Sequence, residues 1–446
     1  MLFTQLEQLY YSSIDDIIFL LDIASAITTI LQGYKSYAYV EQKERKKNDY
    51  PMSTDSVTVV LIIGGGLGGL ALAQLLSQNS SSIKVLIFER DENEYSREQG
   101  YCIGIDPTGL NVLHKIRVLN DLLSDQSNSY VVLSSFRIVN RYLQKCFDIN
   151  AGECKLIYRN ELRRALLTNL NVQWNKRFVS YKVLDDGVEA YFEDGTSIRG
   201  TILIGCDGAK SVVRSQLLPN FQRTDLQVVN IGSTTEQAGD LKKIQNLTRN
   251  SLVRILGLQG HTLLILPFRN IYMWALSWKE EGPHEEENLS KNQLIDKARR
   301  FFRDDEVVRL IERSSSTYLG PYHLYTAQCL KTNPFSNHLR VTLLGDAAHP
   351  MTTHAGKGAN TAFADAEDLA NVFQNLSLQT LSQYEQKMFK RGYAAVKMSL
   401  NSTQMIHATG WHAAVRDGIF SIIRYISTLI SLITMPLRYW NRKKDA

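Results

Sequence analysis

Three apolar runs, each ending at a glycine, set the rhythm of this chain. The first, Val57-Thr58-Val59-Val60-Leu61-Ile62-Ile63, is largely β-branched, as in a strand buried on both faces of a parallel sheet. Gly64-Gly65-Gly66-Leu67-Gly68-Gly69 follows at once, and Leu70-Ala71-Leu72-Ala73-Gln74-Leu75-Leu76 then takes helical spacing. Lys84-Val85-Leu86-Ile87-Phe88 is a second strand, which completes a βαβ unit. The same texture returns in Thr201-Ile202-Leu203-Ile204-Gly205 and in Val341-Thr342-Leu343-Leu344-Gly345. Between about 226 and 335 the pattern changes. Ser251 to Leu256, Thr262 to Leu266 and Tyr272 to Trp278 are strand-like, several rich in aromatics, with polar stretches between them, and predict an antiparallel sheet.

These textures divide the chain into four parts. Residues 1–54 form an N-terminal helical extension and linker, 55–225 with 336–400 a discontinuous α/β domain, 226–335 a substrate domain, and 401–446 a C-terminal amphipathic helical segment. The apolar stretch Ile17 to Leu31 carries Asp22 behind an acidic start, which fits a docking helix or peripheral anchor better than a cleaved secretory signal. In Gly418 to Leu437 the polar residues recur at three- and four-residue steps, and the cationic, aromatic flank Arg438-Tyr439-Trp440-Asn441-Arg442-Lys443-Lys444 follows. Such a helix lies on or anchors to a membrane surface, or else packs on the protein's own core.

Composition narrows the function classes. In 446 residues, 44% are hydrophobic, 21% are charged and the net charge is +5, without a basic stripe, which argues against a nucleic-acid partner. Five scattered cysteines, Cys102, Cys146, Cys154, Cys206 and Cys329, form no CxxC or Cys/His cluster. They predict free thiols in a reducing compartment and no metal site. A cytoplasmic protein, with or without association to an intracellular membrane, follows.

The chemistry sits at the strand ends. In Gly64-x-Gly66-x-x-Gly69 the first glycine permits the turn, the second lets backbone approach a diphosphate, and the third lets helix and strand pack closely. Leu67 and Gly68 complete the loop, whose free amides open a helix. Glu89 stands about 20 residues beyond the last glycine, where an acid accepts hydrogen bonds from ribose hydroxyls. It favours FAD or NAD over direct NADP binding. Arg90 stacks on an adenine or faces solvent. Asp207, after the second run, and Asp346, after the third, put carboxylates at the edge where open α/β sheets hold ligands. Gly356-Lys357-Gly358-Ala359-Asn360 then opens another helix, whose amino end presents amides and positive dipole.

This ordered set, with Asp207-Gly208-x-x-Ser211-x-x-Arg214, Gly345-Asp346-Ala347-Ala348-His349 and Asp365-Ala366, resembles the class A, aromatic-hydroxylase-type flavoprotein monooxygenases over roughly residues 57 to 400. The resemblance implies an α/β fold in which a Rossmann-like FAD-binding domain joins a second, smaller antiparallel-sheet substrate domain, here with a C-terminal helical segment. It implies FAD reduced by NADPH or NADH, and transfer of an oxygen atom from O2, through a flavin C4a-hydroperoxide, to a small apolar or aromatic substrate by hydroxylation or epoxidation. It also makes Arg159, in Tyr158-Arg159-Asn160-Glu161-Leu162-Arg163, an FAD contact. Arg97 lies near the flavin ring or is a solvated arginine. Thr353 and Lys357 depart from the family's usual proline and glutamine. Lys357 either supports the reduced flavin or points to solvent.

The resemblance requires no catalytic triad, and no catalytic residue is assigned. His349 and His354 are structural histidines or proton carriers. Phe268, Tyr272, Trp274 and Trp278 line an apolar pocket or pack a core. A prenyl-chain reductase or halogenase-like enzyme would share the cradle, although the halogenase Gly-Trp-x-Trp-x-Ile-Pro signature is absent; a non-catalytic escort protein is the reading from another class.

Overall fold

A computed structural model describes residues 57–79, 82–96, 101–124, 128–280, 289–315, 318–335, 340–422 and 425. The N-terminal extension, Arg97 and half of the C-terminal segment lie outside the described residues.

The apolar runs form one parallel sheet. Its strands are β1 (Thr58–Ile63), β2 (Ile83–Phe88), β6 (Val172–Gln173), β10 (Ile202–Gly205) and β16 (Val341–Leu343), in the order β16-β10-β1-β2-β6. Val60, Leu61 and Ile62 at its centre are wholly buried, as a strand covered on both faces requires. The pairing places Leu343 beside Gly205, Gly205 beside Ile63, and Ile63 beside Phe88. The glycine turn, Glu89, Asp207 and Asp346 therefore all leave the sheet from one edge. The helices α1 (Leu67–Asn79), α2 (Pro107–Leu113), α3 (Arg159–Leu167) and α4 (Val212–Leu217) fall between these strands in sequence.

A second, eight-stranded sheet runs in the order β15-β11-β14-β13-β12-β4-β5-β3. Its members are β3 (Cys102–Ile105), β4 (Tyr130–Asn140), β5 (Lys145–Tyr158), β11 (Arg223–Glu236), β12 (Ser251–Leu256), β13 (Thr262–Phe268), β14 (Ile271–Lys279) and β15 (Leu319–Ala327). All its pairings are antiparallel except that of β12 with β4. The sheet thus takes three strands from residues 102–158, outside the 226–335 segment read as the substrate domain. Most residues of β5 are half-buried or exposed, so no buried run betrayed it. Another small sheet joins β7 (Phe178–Val183), β8 (Val188–Phe192) and β9 (Ser197–Gly200).

One face of the eight-stranded sheet packs on α5 (Lys242–Thr248), α6 (Lys291–Phe301) and α7 (Asp305–Glu312), where Val253, Ile255, Leu263, Ile265, Trp274 and Leu276 are buried with Leu294, Ala298, Val307 and Leu310. Tyr272, Trp274 and Trp278 belong to this core. Phe268 belongs to another cluster on the sheet, with Met273 and Leu156. Core packing is therefore the reading that holds for the aromatic set.

Two helices close the chain's main body, α8 (Gly358–Val372) and α9 (Leu378–Ile406). A reciprocal cap between Ser377 and Thr380 starts α9, which runs unbroken across residue 400. Its Tyr384 hydroxyl donates to the Leu343 carbonyl at 2.7 Å, and Thr342 donates to Glu385 at 2.9 Å. The helical turns after Gly410 pack on the large sheet through Phe420, buried with Ile138, Leu256, Met405 and Ile406, while Trp411, Ile422 and Tyr425 are exposed. No helix among the described residues is long and apolar enough to cross a membrane.

Two outcomes follow from this packing. Phe420→Ala should cost about 3 kcal/mol, the usual loss for a buried phenylalanine, whereas Ile422→Ala should stay within about 0.5 kcal/mol; urea denaturation of both variants reads the difference. Burial pushes the Glu385 carboxyl up to about 7 against the bond from Thr342. The folded state thus holds the proton more tightly than the unfolded chain. That stabilisation is complete below the carboxyl's unfolded value and fades as pH rises through 7. Between pH 5 and pH 8, Glu385→Gln should gain about 2 to 3 kcal/mol relative to the parent, measured as the pH dependence of urea unfolding.

Candidate functional site

The glycine turn is built by three different constraints. Gly64 has φ +111°, and a Cβ there would lie 2.4 Å from the Cys206 carbonyl oxygen, so only glycine lets the first and second loops touch. A Cβ on Gly69 would lie 2.4 Å from the Gly64 carbonyl oxygen, where α1 presses on the turn. Gly66 is the opposite case. A Cβ there meets nothing within 4 Å, and the open side adjoins the amino end of α1. Leu67 is buried, and Gly68 abuts Leu344, which ties α1 to the third loop.

The Glu89 carboxylate is buried beside this turn. One oxygen accepts from the Gly65 amide at 2.7 Å and the other from the Asp91 amide at 3.1 Å. Arg90 is exposed. Arg163 on α3 was not singled out from sequence, yet its guanidinium donates to the Gly65 carbonyl at 3.0 Å and to that of Glu94 at 3.1 Å, over the Trp174 ring. Four residues earlier on the same helix stands Arg159, with its guanidinium 5.8 Å from the Tyr101 ring centre and its charge bearing on Asp346. The only sequence signal for Arg163 was its spacing, one helical turn after Arg159.

At the second loop, both oxygens of Asp207 are engaged. One accepts from the Ser211 hydroxyl, the other from the amides of Val212 at 2.7 Å and Val213 at 3.2 Å. The acid thus closes the start of α4. Arg214, buried, donates to the carbonyls of Asp346 at 3.2 Å, Ala347 at 2.9 Å and Ala209 at 2.7 Å, which staples the second loop to the third. Burial lowers its pKa to about 10 despite the neighbouring Asp207 charge.

Asp346 combines an exposed side chain with deep enclosure by protein atoms, the mark of a carboxylate lining a cleft. Burial raises its pKa, opposed by His349, Arg159 and Arg214. A Cβ on Gly358 would meet only an Asp346 carboxylate oxygen, 3.7 Å away, so the acid faces the amino end of α8 across open space. Gly356 is left-handed at φ 63°, with nothing within 4 Å of its Cβ direction. Ala359 packs partly into the core. Asn360 is a clamp: its side chain accepts from the Asp106 amide at 3.0 Å and donates to the carbonyls of Gly104 and Gly356, both at 3.0 Å.

Lys357 does not simply point to solvent. Its ammonium pairs with Asp106 at 2.9 Å, and Asp106 caps α2 through the amides of Thr108 and Gly109. His349 lies behind the third loop. Its Nε2 is 2.6 Å from Asp365, which also accepts from the Gly345 amide at 3.2 Å and from Arg391 at 2.7 Å. Burial raises the Asp365 pKa, but His349 and Arg391 outweigh it and the net shift is downward. His349 is therefore a structural histidine. The loops thus gather at one sheet edge the glycines Gly66 and Gly356, with open space beside them, and Gly358, with only Asp346 near, together with the Glu89 and Asp346 carboxylates.

Known proteins share this construction. A family model described as an FAD binding domain matches residues 57–399. The FAD-dependent monooxygenase thnD of Trichoderma harzianum is 28% identical over 383 residues, covering 76% of this chain and 91% of that protein. A solved chain of Photorhabdus luminescens, described as an FAD-containing monooxygenase, is 28% identical with a TM-score of 0.68, over 78% of this chain and 98% of that one. HpxO of Klebsiella pneumoniae, solved with FAD and uric acid, shares the fold at a TM-score of 0.66 and 23% identity, over 81% and 93% of the two chains. With a family match spanning most of its length, the chain belongs to the class A, aromatic-hydroxylase-type FAD-dependent monooxygenases.

Proposed function

We propose that the cleft holds FAD along its length and that the protein uses NADPH or NADH and O2 to hydroxylate or epoxidise a small apolar or aromatic substrate. The observation that carries this reading is the set of open glycine faces at one sheet edge, between Glu89 and Asp346. In it, the amides after Gly64 and the amino end of α1 receive the diphosphate, where the helix dipole favours negative charge. Glu89 accepts from the adenosine ribose hydroxyls while its bonds from Gly65 and Asp91 fix its direction. Asp346 receives the ribityl hydroxyls, Arg159 and Arg90 supply cationic neighbours, and Gly356 to Asn360 present the amino end of α8 to the flavin ring. Asp207 serves by holding its own loop in place. FAD, when bound, supplies the oxygen-activating redox chemistry; the chain supplies position, charge balance and exclusion of water. The exposed Trp411, Ile422 and Tyr425 support a peripheral membrane contact for the C-terminal segment, as a further part of the proposal.

Gly64 and Gly66 separate cradle from scaffold. Gly66→Ala should leave the stability of the FAD-free protein within about 0.5 kcal/mol of the parent, since its side is open, yet lose most bound flavin. Gly64→Ala should destabilise the protein itself through its φ and the contact with Cys206. Asp346→Ala should also strip flavin. Flavin absorbance after gel filtration, beside urea unfolding of the FAD-free protein, reads each outcome. Full flavin retention in both Gly66→Ala and Asp346→Ala would overturn the assignment. So would a well-folded parent that takes up no FAD and oxidises no NAD(P)H.

A further inference from the structure

The turn between Gly356 and Gly358 carries a charge whose partner comes from another part of the chain. Lys357 stands just before α8, and its ammonium lies 2.9 Å from the carboxylate of Asp106, just past β3. The lysine side chain is 22% exposed and that of the acid 8%, so water screens the pair poorly.

Asp106 divides its work between its two oxygens. Oδ1 accepts from the amides of Thr108 at 3.0 Å and Gly109 at 3.2 Å and so caps α2, while Oδ2 takes Lys357. Asn360 holds the two turns together, because it accepts from the Asp106 amide and donates to the carbonyls of Gly104 and Gly356. A Cβ on Gly109 would fall 2.3 Å from Oδ1 of Asn360, so α2 approaches that clamp as closely as a glycine permits.

Capping alone does not account for the charges. An asparagine or serine at the cap would accept from the same amides. Lys357 is not required to start α8 either, since its side chain makes no capping hydrogen bond there. What the charges do is seen on a third group. The Cys154 sulfur on β5 would lie 3.2 Å from a Cβ on Gly104, at the edge of the same corner. Burial pushes this thiol up to about 11; Asp106 adds to the rise and Lys357 opposes it. A group near both charges thus feels their difference rather than either one alone.

We infer that Asp106 is a positioning residue for the flavin: it holds the Lys357 ammonium at the start of α8 and cancels its charge, so that the ring meets the amide dipoles of that helix without a full cation beside them. The inference rests on the proposed function for the presence of FAD next to Gly356 to Asn360. Its consequence is chemical. Reduced flavin carries negative charge near N1 and O2, and an uncompensated ammonium there would favour the reduced form and make it a weaker electron donor. Cancellation by Asp106 keeps the bound flavin a stronger reductant.

The test uses the FAD-reconstituted full chain and sulfite, which adds to flavin N5 and leaves negative charge on the ring. Its affinity, read from the loss of flavin absorbance, therefore reports the charge near the ring. Asp106→Asn keeps the α2 cap, because asparagine caps as well as aspartate, and leaves the corner one positive charge richer. It should bind sulfite roughly 3- to 30-fold more tightly than the parent, with the flavin midpoint potential moved upward. Lys357→Met leaves the acid uncompensated and should move both readings the opposite way by a similar factor. In the double variant Asp106→Asn/Lys357→Met both charges are gone, and sulfite affinity should return to within about 3-fold of the parent. A purely structural pair would not give opposite effects that cancel. Unchanged sulfite affinity in Asp106→Asn, or a double variant that matches Lys357→Met, would overturn the inference; the double variant decides by itself where Asp106→Asn does not fold. A parent that takes up no FAD removes the proposed function and this inference with it. Either of the first two outcomes, in a yellow parent that oxidises NAD(P)H, removes this inference alone.

Discussion

Parallel pairing in register is the interaction on which the rest depends. Leu343, Gly205, Ile63 and Phe88 stand in one row across four strands, and the next residues of each strand supply the third loop, the second loop, the glycine turn and Glu89. Sequence distance disappears at this edge. Consecutive residues Val60 to Ile62 and Ile202 to Ile204 are all buried, so the sheet is covered on both faces, and the close approach of Gly64 to the Cys206 carbonyl and of Gly68 to Leu344 ties the aligned loops together. Site geometry is thereby inherited from core packing.

Alignment alone would leave three loops free to move apart, and buried ionic side chains prevent it. Arg214 joins the second loop to the third, Arg163 holds the glycine turn to Glu94, and Asp365, with His349 and Arg391, fixes the Gly345 turn from behind. Each cation spends its donors on carbonyls or carboxylates, which offsets the desolvation that burial imposes. The pairing of Lys357 with Asp106 belongs to the same set and joins the start of α8 to that of α2.

How much of this was legible in the sequence depended on whether a residue's role was local. Four strands of the parallel sheet, β1, β2, β10 and β16, and the glycine turn were legible because burial on two faces and a forbidden Cβ write themselves into consecutive residues, whereas the two-residue β6 was not. Strands β4 and β5 were not, since the half-exposed pattern of β5 carries no apolar run. Asp207 was placed correctly at the sheet edge, but its commitment to the amides of Val212 and Val213 depends on the path of the following turn. For Lys357 the partner, Asp106, lies far away in sequence, so neither local alternative included it. The continuity of α9 through residue 400 was hidden because the sequence changes texture there while the helix does not.

The two faces of the large sheet are covered by different parts of the chain. On the helix side, Tyr272, Trp274 and Trp278 fill the space between sheet and helices, and burial there is nearly complete. The other face alternates with it along the same strands, with Arg254 and Gly232 buried and Leu264 and Ala275 half-buried, and Leu256 there packs with Met405 and Ile406 at the end of α9. Strand alternation lets each face pack against its own neighbours, so the stabilisation gained on one does not dictate the residues on the other. The strand Ser251–Leu256 tolerates the buried Arg254 at its middle because Val253 and Ile255, on the helix side, secure it in the core with Leu263, Ile265 and Leu276.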